Sequence, residues 1–388
     1  MTVLHLLKTA VGAAWALRQM RELVALGVRV HVATPEGPMQ AAYRAAGVTV
    51  HTANYDFPVA APWRLPAMCR SLRHLVVEVR PDIIHSHFVG TTLTMRVALG
   101  KDSPVPRIFQ VPGPLHLEHR VFRAAELTTS GPADYWVGSC EWTCRAYKDA
   151  GVPDDRVFLS YYGVDVRRPR RRCNPVAGMK VVGMVAYMYA PKLHLGQRRG
   201  LKGHEDLIDA LQLCRREMPN LLGVFVGGAW NGARWYEDRV MRYGRARDPQ
   251  RNVFLGTRTD VDDLYDTFDV AVCPSHSENV GAAVESLLLG VPTVATNVGG
   301  LPDLVKNHDT GWLVPPRRPD ALARAILDAL THGRKAANRA RSGQRLARKM
   351  FDVTTTAAGI LTIYTKVLLE SCADRHPASP QYADRGVA

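Results

Sequence analysis

Two glutamates, Glu278 and Glu285, flank a glycine in a segment whose residue types suit the binding of a sugar and a phosphate. From Cys273 to Val305 the sequence predicts a strand end, a loop, a helix from about 280 to 289, a Gly-Val-Pro turn, a buried strand and a second glycine loop. The first amides of a helix are unpaired and lie at the positive end of its dipole, which suits a phosphate. Carboxylates, which only accept hydrogen bonds, are better matched to sugar hydroxyls. The sequence therefore predicts a nucleotide-sugar site, whose contacts at the start of the helix are Asn279, Val280, Gly281 and Ala282.

A lysine in another segment fits the same anion. Lys202-Gly203 stands directly before an amphipathic stretch, which predicts an ammonium group beside a helix N-terminus. An ammonium there binds a diphosphate through charge-assisted hydrogen bonds. We therefore expect Lys202 to be a phosphate ligand.

The elements that position these residues follow from apolar runs that alternate with helical stretches, a pattern typical of doubly wound parallel sheets. The first half predicts strands at Val3–Leu7, Val28–Ala33, Val48–Ala53, Ile83–His87, Ile108–Val111, Trp136–Ser139 and Val157–Tyr161. The second half predicts strands at Lys180–Tyr187, Leu222–Val226, Val253–Leu255, Val270–Cys273, Thr293–Ala295 and Trp312–Val314. We expect domains at 1–170 and 171–350, with the boundary in the basic cluster Arg167–Arg172, then a helix at 351–372 and a disordered tail at 373–388.

Loops after the strands of the first half supply further candidates, because ligands of parallel sheets bind beyond the carboxyl ends of the strands. Gly12 lies in the first such loop, where a glycine admits phosphate or sugar close to the backbone. His87 ends the fourth strand and is either an acceptor contact or a partner of neighbouring side chains. The loop 110–119, rigidified by Pro-Gly-Pro, presents His116 and Glu118, and we interpret Glu118 as a candidate acceptor contact.

Composition limits the class of protein. The chain has 388 residues, 46% of them hydrophobic, which is enough for two domains with a sizeable core each. It has no apolar run near the ~20 residues that span a bilayer, and no signal-peptide pattern at its start, so a cytoplasmic protein is expected. Its seven cysteines form no CxxC pair, which favours reduced thiols and no metal site. The net charge of +14 lies partly in clusters without interleaved aromatic residues, which disfavours nucleic acid as a partner. A membrane surface is not favoured as a partner either. The oligomeric state is left open.

The donor segment resembles the signature of the family 4 retaining glycosyltransferases of the GT-B fold. The resemblance is carried, in order, by Ser-Glu-Asn at 277–279, Gly281, Glu285, Gly-Val-Pro at 290–292 and Gly-Gly-Leu-Pro-Asp at 299–303. It implies two Rossmann-like domains facing across a cleft, with the donor on the second, the acceptor on the first, and a terminal helix that crosses back to the first. In this family the first Glu meets the donor sugar and the second the ribose. Six residues separate the two Glu here, where the family has seven, so either the loop is shorter or Ser277 takes the outer position.

The resemblance also gives roles to residues elsewhere. It implies that His116 reaches the donor sugar, although a structural loop histidine is the alternative, and that the loop of Arg258 receives the nucleobase. The family pairs the lysine with a strand-end arginine that is absent here, and the second cation is left open among Lys192, Arg198 and Arg199. With Lys202 and the helix offsetting the charge of departing UDP, no metal or other cofactor is implied, and the sugar is transferred with retention of its anomeric configuration.

Over nearly the whole chain the resemblance narrows to the 2-deoxystreptamine glycosyltransferases of aminoglycoside antibiotic biosynthesis. It rests on Leu-Leu-Lys-Thr, Gln-Val-Pro-Gly-Pro-Leu-His-Leu-Glu, Met-Val-Ala-Tyr-Met-Tyr-Ala-Pro-Lys and Gly-Leu-Lys-Gly-His-Glu-Asp-Leu-Ile-Asp-Ala. Such enzymes transfer glucose or N-acetylglucosamine from a UDP-sugar to 2-deoxystreptamine, towards kanamycin, tobramycin or neomycin. The sequence does not decide between the two sugars. A membrane-associated enzyme with a lipid acceptor, a UDP-sugar 2-epimerase and a nucleic-acid-binding module are the alternatives.

Overall fold

The structure is a computed structural model that describes residues 1–165, 177–191 and 197–375. The chain forms two compact units. Unit 1 comprises Met1–Ser139, Cys144–Gly163 and the chain from Val353 onwards, and unit 2 comprises Cys140–Thr143 and Val164–Asp352. The predicted boundary, with Arg167–Arg172, and the candidate cation Lys192 lie outside the described residues.

Strands and helices alternate along the described chain. The strands are β1 (Thr2–Leu6), β2 (Arg29–Thr34), β3 (Thr49–Thr52), β4 (Ile83–Ser86), β5 (Arg107–Val111), β6 (Asp134–Gly138), β7 (Val157–Leu159), β8 (Lys180–Val185), β9 (Leu221–Val226), β10 (Asn252–Phe254), β11 (Val270–Cys273), β12 (Thr293–Thr296) and β13 (Trp312–Val314). The α-helices are α1 (Ala14–Ala25), α2 (Met39–Ala45), α3 (Leu65–Val79), α4 (Val89–Leu99), α5 (Arg120–Thr129), α6 (Glu141–Asp149), α7 (His204–Glu217), α8 (Arg234–Arg247), α9 (Val261–Tyr265), α10 (Gly281–Leu288), α11 (Leu301–Leu304), α12 (Pro319–Thr331), α13 (Gly333–Phe351) and α14 (Val353–Arg375). Each predicted strand is present, and no strand end is shifted by more than two residues.

Both units contain a parallel sheet, which confirms the predicted fold class. The strand order is β3-β2-β1-β4-β5-β6-β7 in unit 1 and β10-β9-β8-β11-β12-β13 in unit 2. Strands such as β1, β5 and β6 are buried along their whole length, as expected where helices cover both faces of a sheet. The order reverses between β1 and β4 and between β8 and β11, so the carboxyl ends of these strands mark the crevice where such sheets bind ligands.

The C-terminal helix differs from its prediction. Helix α13 ends at Phe351, Asp352 has non-helical dihedral angles, and α14 then runs from Val353 to Arg375. The helix therefore continues beyond the predicted end at residue 372, because the first helix-breaking residue after it is Pro377. The rest of the predicted disordered tail lies outside the described residues.

Helix α14 belongs to unit 1 and packs against α1. Its buried face consists of Ile360, Ile363, Tyr364 and Val367, which join the core on one face of the first sheet. Within the described ranges, no helix is both long and apolar enough to cross a bilayer.

Candidate active site

A cavity of about 450 Å³ opens within unit 2 beyond the carboxyl ends of β8, β9 and β10. It brings together five of the residues predicted from the sequence, although they come from three separate segments of the chain. The predicted residues among its lining are Lys202, Arg258, Glu278, Gly281 and Glu285. Its remaining lining is formed by Val185, Ala186, Tyr187, Tyr189, Val226, Gly227, Thr257, Thr259, Val261 and Asp262.

Lys202 and Glu278 form an ion pair at the edge of this cavity. Lys202 Nζ lies 2.5 Å from Glu278 Oε2, and the two side chains are only 17% and 11% exposed. Ser275 Oγ donates to the same carboxylate oxygen at 3.1 Å, and the amide of Asn279 donates to Glu278 Oε1 at 3.1 Å. The carboxylate is therefore fixed in one orientation, and the lysine is neutralised before any anion arrives.

The first residues of α10 lie beside this carboxylate. Helix α10 begins at Gly281, and a Cβ there would meet Glu278 Oε1 at 3.4 Å. Ala282 follows in the first turn. The glycine thus keeps the space between the helix N-terminus and the carboxylate clear, where a phosphate is stabilised by the free amides and the helix dipole.

The second glycine loop supports the backbone of the first. Gly299 has a φ of +55°, and a Cβ built on it would lie 1.7 Å from the carbonyl oxygen of Glu278. A Cβ on Gly300 would lie 2.6 Å from the carbonyl oxygen of Asn279. The Gly-Gly pair therefore allows two loops to touch backbone to backbone, which holds Glu278 in place.

Glu285 is exposed and lines the cavity four residues after Gly281. Residues four apart on a helix share one face, so Glu285 lies on the same side of α10 as Gly281. This position is one turn further from the helix N-terminus than Gly281, and the contact of Glu285 with the ribose stays a prediction.

Of the candidate cations that the structure describes, only Lys202 and Arg258 line this cavity. Arg258 makes two hydrogen bonds to Asp260, at 2.8 and 2.6 Å. Arg198 and Arg199 line a different cavity of unit 2, and Arg199 is engaged by two aspartates, Asp206 and Asp209. Arg198 and Arg199 thus do not line the donor cavity, Arg258 lines it at the loop predicted to receive the nucleobase, and the second cation stays a prediction.

An aromatic group that the sequence analysis missed completes the wall of the cavity. Tyr187 and Tyr189 stand two and four residues after the end of β8, near the place where the resembled family has its arginine. Trp230 stacks on Tyr189 with ring centroids 5.0 Å apart, and Lys202 Nζ lies 5.4 Å from the Tyr189 ring. Two tyrosines so close to a strand's carboxyl end were the available signal.

His116 lies in unit 1, where its Nε2 contacts the carboxylate of Glu126 and lies 2.8 Å from the hydroxyl of Tyr147. Glu126 is fully buried and also accepts a hydrogen bond from Trp136 Nε1 at 2.9 Å. Burial by itself would raise the pKa of this carboxyl, but the hydrogen bond from His116 and nearby charges lower it. Nε2 of His116 is therefore occupied by contacts within unit 1. The predicted contact of His116 with the donor sugar stays a prediction, and it would have to use Nδ1.

Of the other predicted residues of unit 1, Gly12 and Glu118 are exposed, whereas His87 is buried. Gly12 has a φ of +68° in the loop after β1, and Glu118 is exposed in a short 3₁₀ turn before α5. His87 is fully buried among other side chains. A direct acceptor contact by His87 does not fit this position, because the side chain points into the packed face of the sheet.

Two family profiles match the chain. Residues 13–168 match the profile described as Glycosyltransferase Family 4, and residues 192–346 match the one described as Glycosyl transferases group 1. Among curated relatives, glycogen synthase of Mycobacterium tuberculosis is 32% identical over 178 residues, which are 45% of this chain and 42% of that protein. D-inositol 3-phosphate glycosyltransferase of Mycobacteroides abscessus is 36% identical over 130 residues, which are 33% of this chain and 28% of that protein. The chain thus spans less than half the length of these relatives.

Solved structures agree in fold along almost the whole chain. Anabaena HepE, solved in complex with UDP, has a TM-score of 0.78 at 21% identity and covers 94% of this chain and 100% of its own. A glycosyltransferase from Rickettsia africae has a TM-score of 0.77 at 16% identity and covers 95% of this chain and 98% of its own. Since one profile matches each half and both sheets are parallel, the chain has the GT-B fold and each half is similar to glycosyltransferases of the group 1 and family 4 type.

Proposed function

We propose that this protein is a retaining hexosyltransferase that moves glucose or N-acetylglucosamine from a UDP-sugar to 2-deoxystreptamine. The observation that carries the proposal is the cavity of unit 2, in which Lys202, Glu278, Glu285 and a glycine-led helix N-terminus converge. The complexes of Anabaena HepE with UDP and with UDP-glucose support uridine as the nucleoside of the donor. The acceptor rests on the sequence resemblance alone.

The Lys202–Glu278 pair gives the donor site two states. In the absence of a ligand the two groups neutralise each other. An arriving diphosphate offers Lys202 a stronger partner, and Glu278 is then free to accept hydrogen bonds from hydroxyls of the sugar. After the exchange Lys202 is paired with the phosphate and Glu278 accepts hydrogen bonds from the sugar, so neither charge is left without a partner in a poorly solvated place.

The transfer itself needs stabilisation of the leaving phosphate. The bond between the anomeric carbon and the phosphate oxygen breaks, the acceptor oxygen forms the new bond on the same face, and the hydroxyl proton passes to the leaving oxygen. Lys202, Arg258 and the amides of α10 offset the negative charge that develops on UDP, which is electrostatic stabilisation by groups already in place. The proposed mechanism includes no metal ion or other cofactor, and in it Glu285 holds the ribose.

The test is to incubate the protein with UDP-glucose or UDP-N-acetylglucosamine and 2-deoxystreptamine and to determine product masses. A pseudodisaccharide with the α linkage of the donor supports the proposal. Release of UDP by hydrolysis only would refute the acceptor, and conversion of UDP-N-acetylglucosamine without any acceptor would identify a 2-epimerase. Transfer to a lipid extract but not to 2-deoxystreptamine would identify the lipid-acceptor alternative. The predicted acceptor contact is tested by the variant Glu118→Gln. We expect this variant to raise the KM for the dicationic acceptor and to leave the KM for the donor unchanged.

A further inference from the structure

Three histidines cluster inside unit 1, apart from the cavity described above. His5 lies on β1, His85 on β4, and His87 directly after β4. The register of the two parallel strands places His5 opposite His85, and residues 85 and 87 share a face because side chains alternate along a strand. All three are fully buried, and one potential ligand atom from each lies within 4.8 Å of the other two.

The outer nitrogens of the three rings face tyrosine hydroxyls. His85 Nδ1 lies 2.6 Å from the hydroxyl of Tyr364, and His5 Nε2 lies 3.5 Å from the same oxygen. His87 Nδ1 lies 3.5 Å from the hydroxyl of Tyr162. When these nitrogens carry the ring protons, each imidazole donates outwards to a tyrosine, and its second nitrogen presents a lone pair.

The inner nitrogens of the rings lie close together. His5 Nδ1 and His87 Nε2 are 2.9 Å apart, and one donates a hydrogen bond to the other when it carries the ring proton. In the described part of the chain, His85 Nε2 makes no hydrogen bond, and neither does the buried Oε1 of Gln110. Buried polar atoms without partners are costly, and two of them beside a histidine cluster point to a ligand that would bind both.

A cation at this point would use the ring lone pairs, because imidazole binds metals in its neutral form.

We propose that His5, His85 and His87 form a structural zinc site, with Gln110 Oε1 as the fourth ligand. Three imidazole nitrogens and one oxygen at about 2.0–2.2 Å are a donor set that Zn²⁺ takes in tetrahedral geometry. Tyr364 and Tyr162 hold the outer nitrogens, as second partners do for histidines that bind metals. The rings of His85 and His87 are stacked with centroids 4.3 Å apart, so binding rotates at least one of them until both planes contain the ion.

The ion would join β1, β4 and β5 where the strand order of the first sheet reverses. Through Tyr364 it would also fix α14, the last helix of the chain, to this sheet. The site takes no part in sugar transfer, and it accounts for three buried polar side chains that the proposed mechanism does not use.

The experiment is to produce the full chain in zinc-supplemented medium with an affinity tag that lacks histidine, and to measure metal by mass spectrometry after gel filtration. We expect about one zinc ion per chain, an X-ray absorption edge typical of nitrogen and oxygen ligands, and visible d–d bands of tetrahedral geometry when Co²⁺ replaces Zn²⁺. Removal of the metal should lower the melting temperature, and Zn²⁺ present during refolding should restore it.

The matched control uses another histidine pair in the same unit. His31 Nδ1 and His51 Nε2 lie 3.0 Å apart on β2 and β3, but both side chains are partly exposed. His85→Gln should abolish zinc retention, whereas the double variant His31→Gln, His51→Gln should keep it. Wild-type protein that carries no zinc, or zinc that is lost in the double variant only, would overturn the proposal. If His85→Gln fails to fold, the stoichiometry and the Co²⁺ spectrum of the wild type decide the matter.

Discussion

Replacing Glu278 by glutamine should tighten the binding of UDP while it impairs transfer from the UDP-sugar. Lys202 lies 2.5 Å from the carboxylate of Glu278, and in the proposed exchange it moves from this carboxylate to a phosphate. Glutamine keeps the shape of the side chain but removes the charge, so Lys202 is available to the diphosphate from the start. Removal of the negative charge also ends its repulsion of the phosphate groups.

The size of the effect follows from the environment of the pair. Both side chains are more than four-fifths buried, so the pair is stronger than a surface ion pair, which contributes about 0–1 kcal/mol, and its breakage is correspondingly costly. A hydrogen bond between charged groups contributes a net ~1.5–3 kcal/mol, and the partial loss of one on binding corresponds to roughly a tenfold change in Kd. We therefore expect UDP to bind Glu278→Gln about tenfold more tightly than wild type. Transfer should fall because the sugar hydroxyls lose their acceptor.

The assay is isothermal titration calorimetry with UDP, at low and at moderate salt, together with steady-state transfer kinetics. Glu285→Gln is the matched control, since it removes an equal charge from the same cavity without releasing Lys202. It should weaken UDP binding through loss of the ribose contact. Unchanged or weaker UDP binding in Glu278→Gln, or equal tightening in both variants, would refute the exchange of partners.

Three further outcomes test the site and its supports. Lys202→Met should weaken UDP binding by about 1.5–3 kcal/mol in calorimetry, and an effect no larger than that of Arg198→Met, on a residue outside the cavity, would contradict its role as a phosphate ligand. Gly299→Ala should destabilise unit 2 by more than about 1 kcal/mol in urea unfolding, because its Cβ would meet the carbonyl oxygen of Glu278 at 1.7 Å in a backbone conformation with positive φ; Gly333→Ala, where no atom lies within 4 Å, should change stability little, and equal effects of the two would contradict the argument. Burial lowers the pKa of His204 to about 4, so the unfolded chain binds its proton from about pH 6.5 downwards while the native state does not. Between pH 7 and pH 5 this histidine should reduce the free energy of unfolding by about 2 kcal/mol, and His204→Gln should shrink the difference in urea midpoint between these two pH values; an unchanged difference would show that the native state protonates too.

Much of the fold could be predicted from the sequence because its signals are local. Buried strands of a parallel sheet are short apolar runs, and each predicted run forms a strand at nearly the predicted place. The donor segment could also be predicted from the sequence. Gly281 indicates a helix start there, and the Gly-Gly pair at 299–300 allows a close backbone contact. Local sequence signals thus predicted the strands of the sheets, the helix N-terminus and the resemblance to the glycosyltransferases.

Only the tertiary structure decided which groups face each other. The partners Lys202 and Glu278 are 76 residues apart, and nothing in either segment indicates that they neutralise one another. The same holds for Arg258 rather than Arg199 at the donor cavity, and for the burial of His87, because the identity of a neighbour depends on strand order and register. His5 has no chemical signal in its own segment; it becomes part of a cluster only because β1 pairs with β4, 80 residues away, and places it opposite His85. The sequence alone determined which elements form, and the packing of those elements determined which side chains meet.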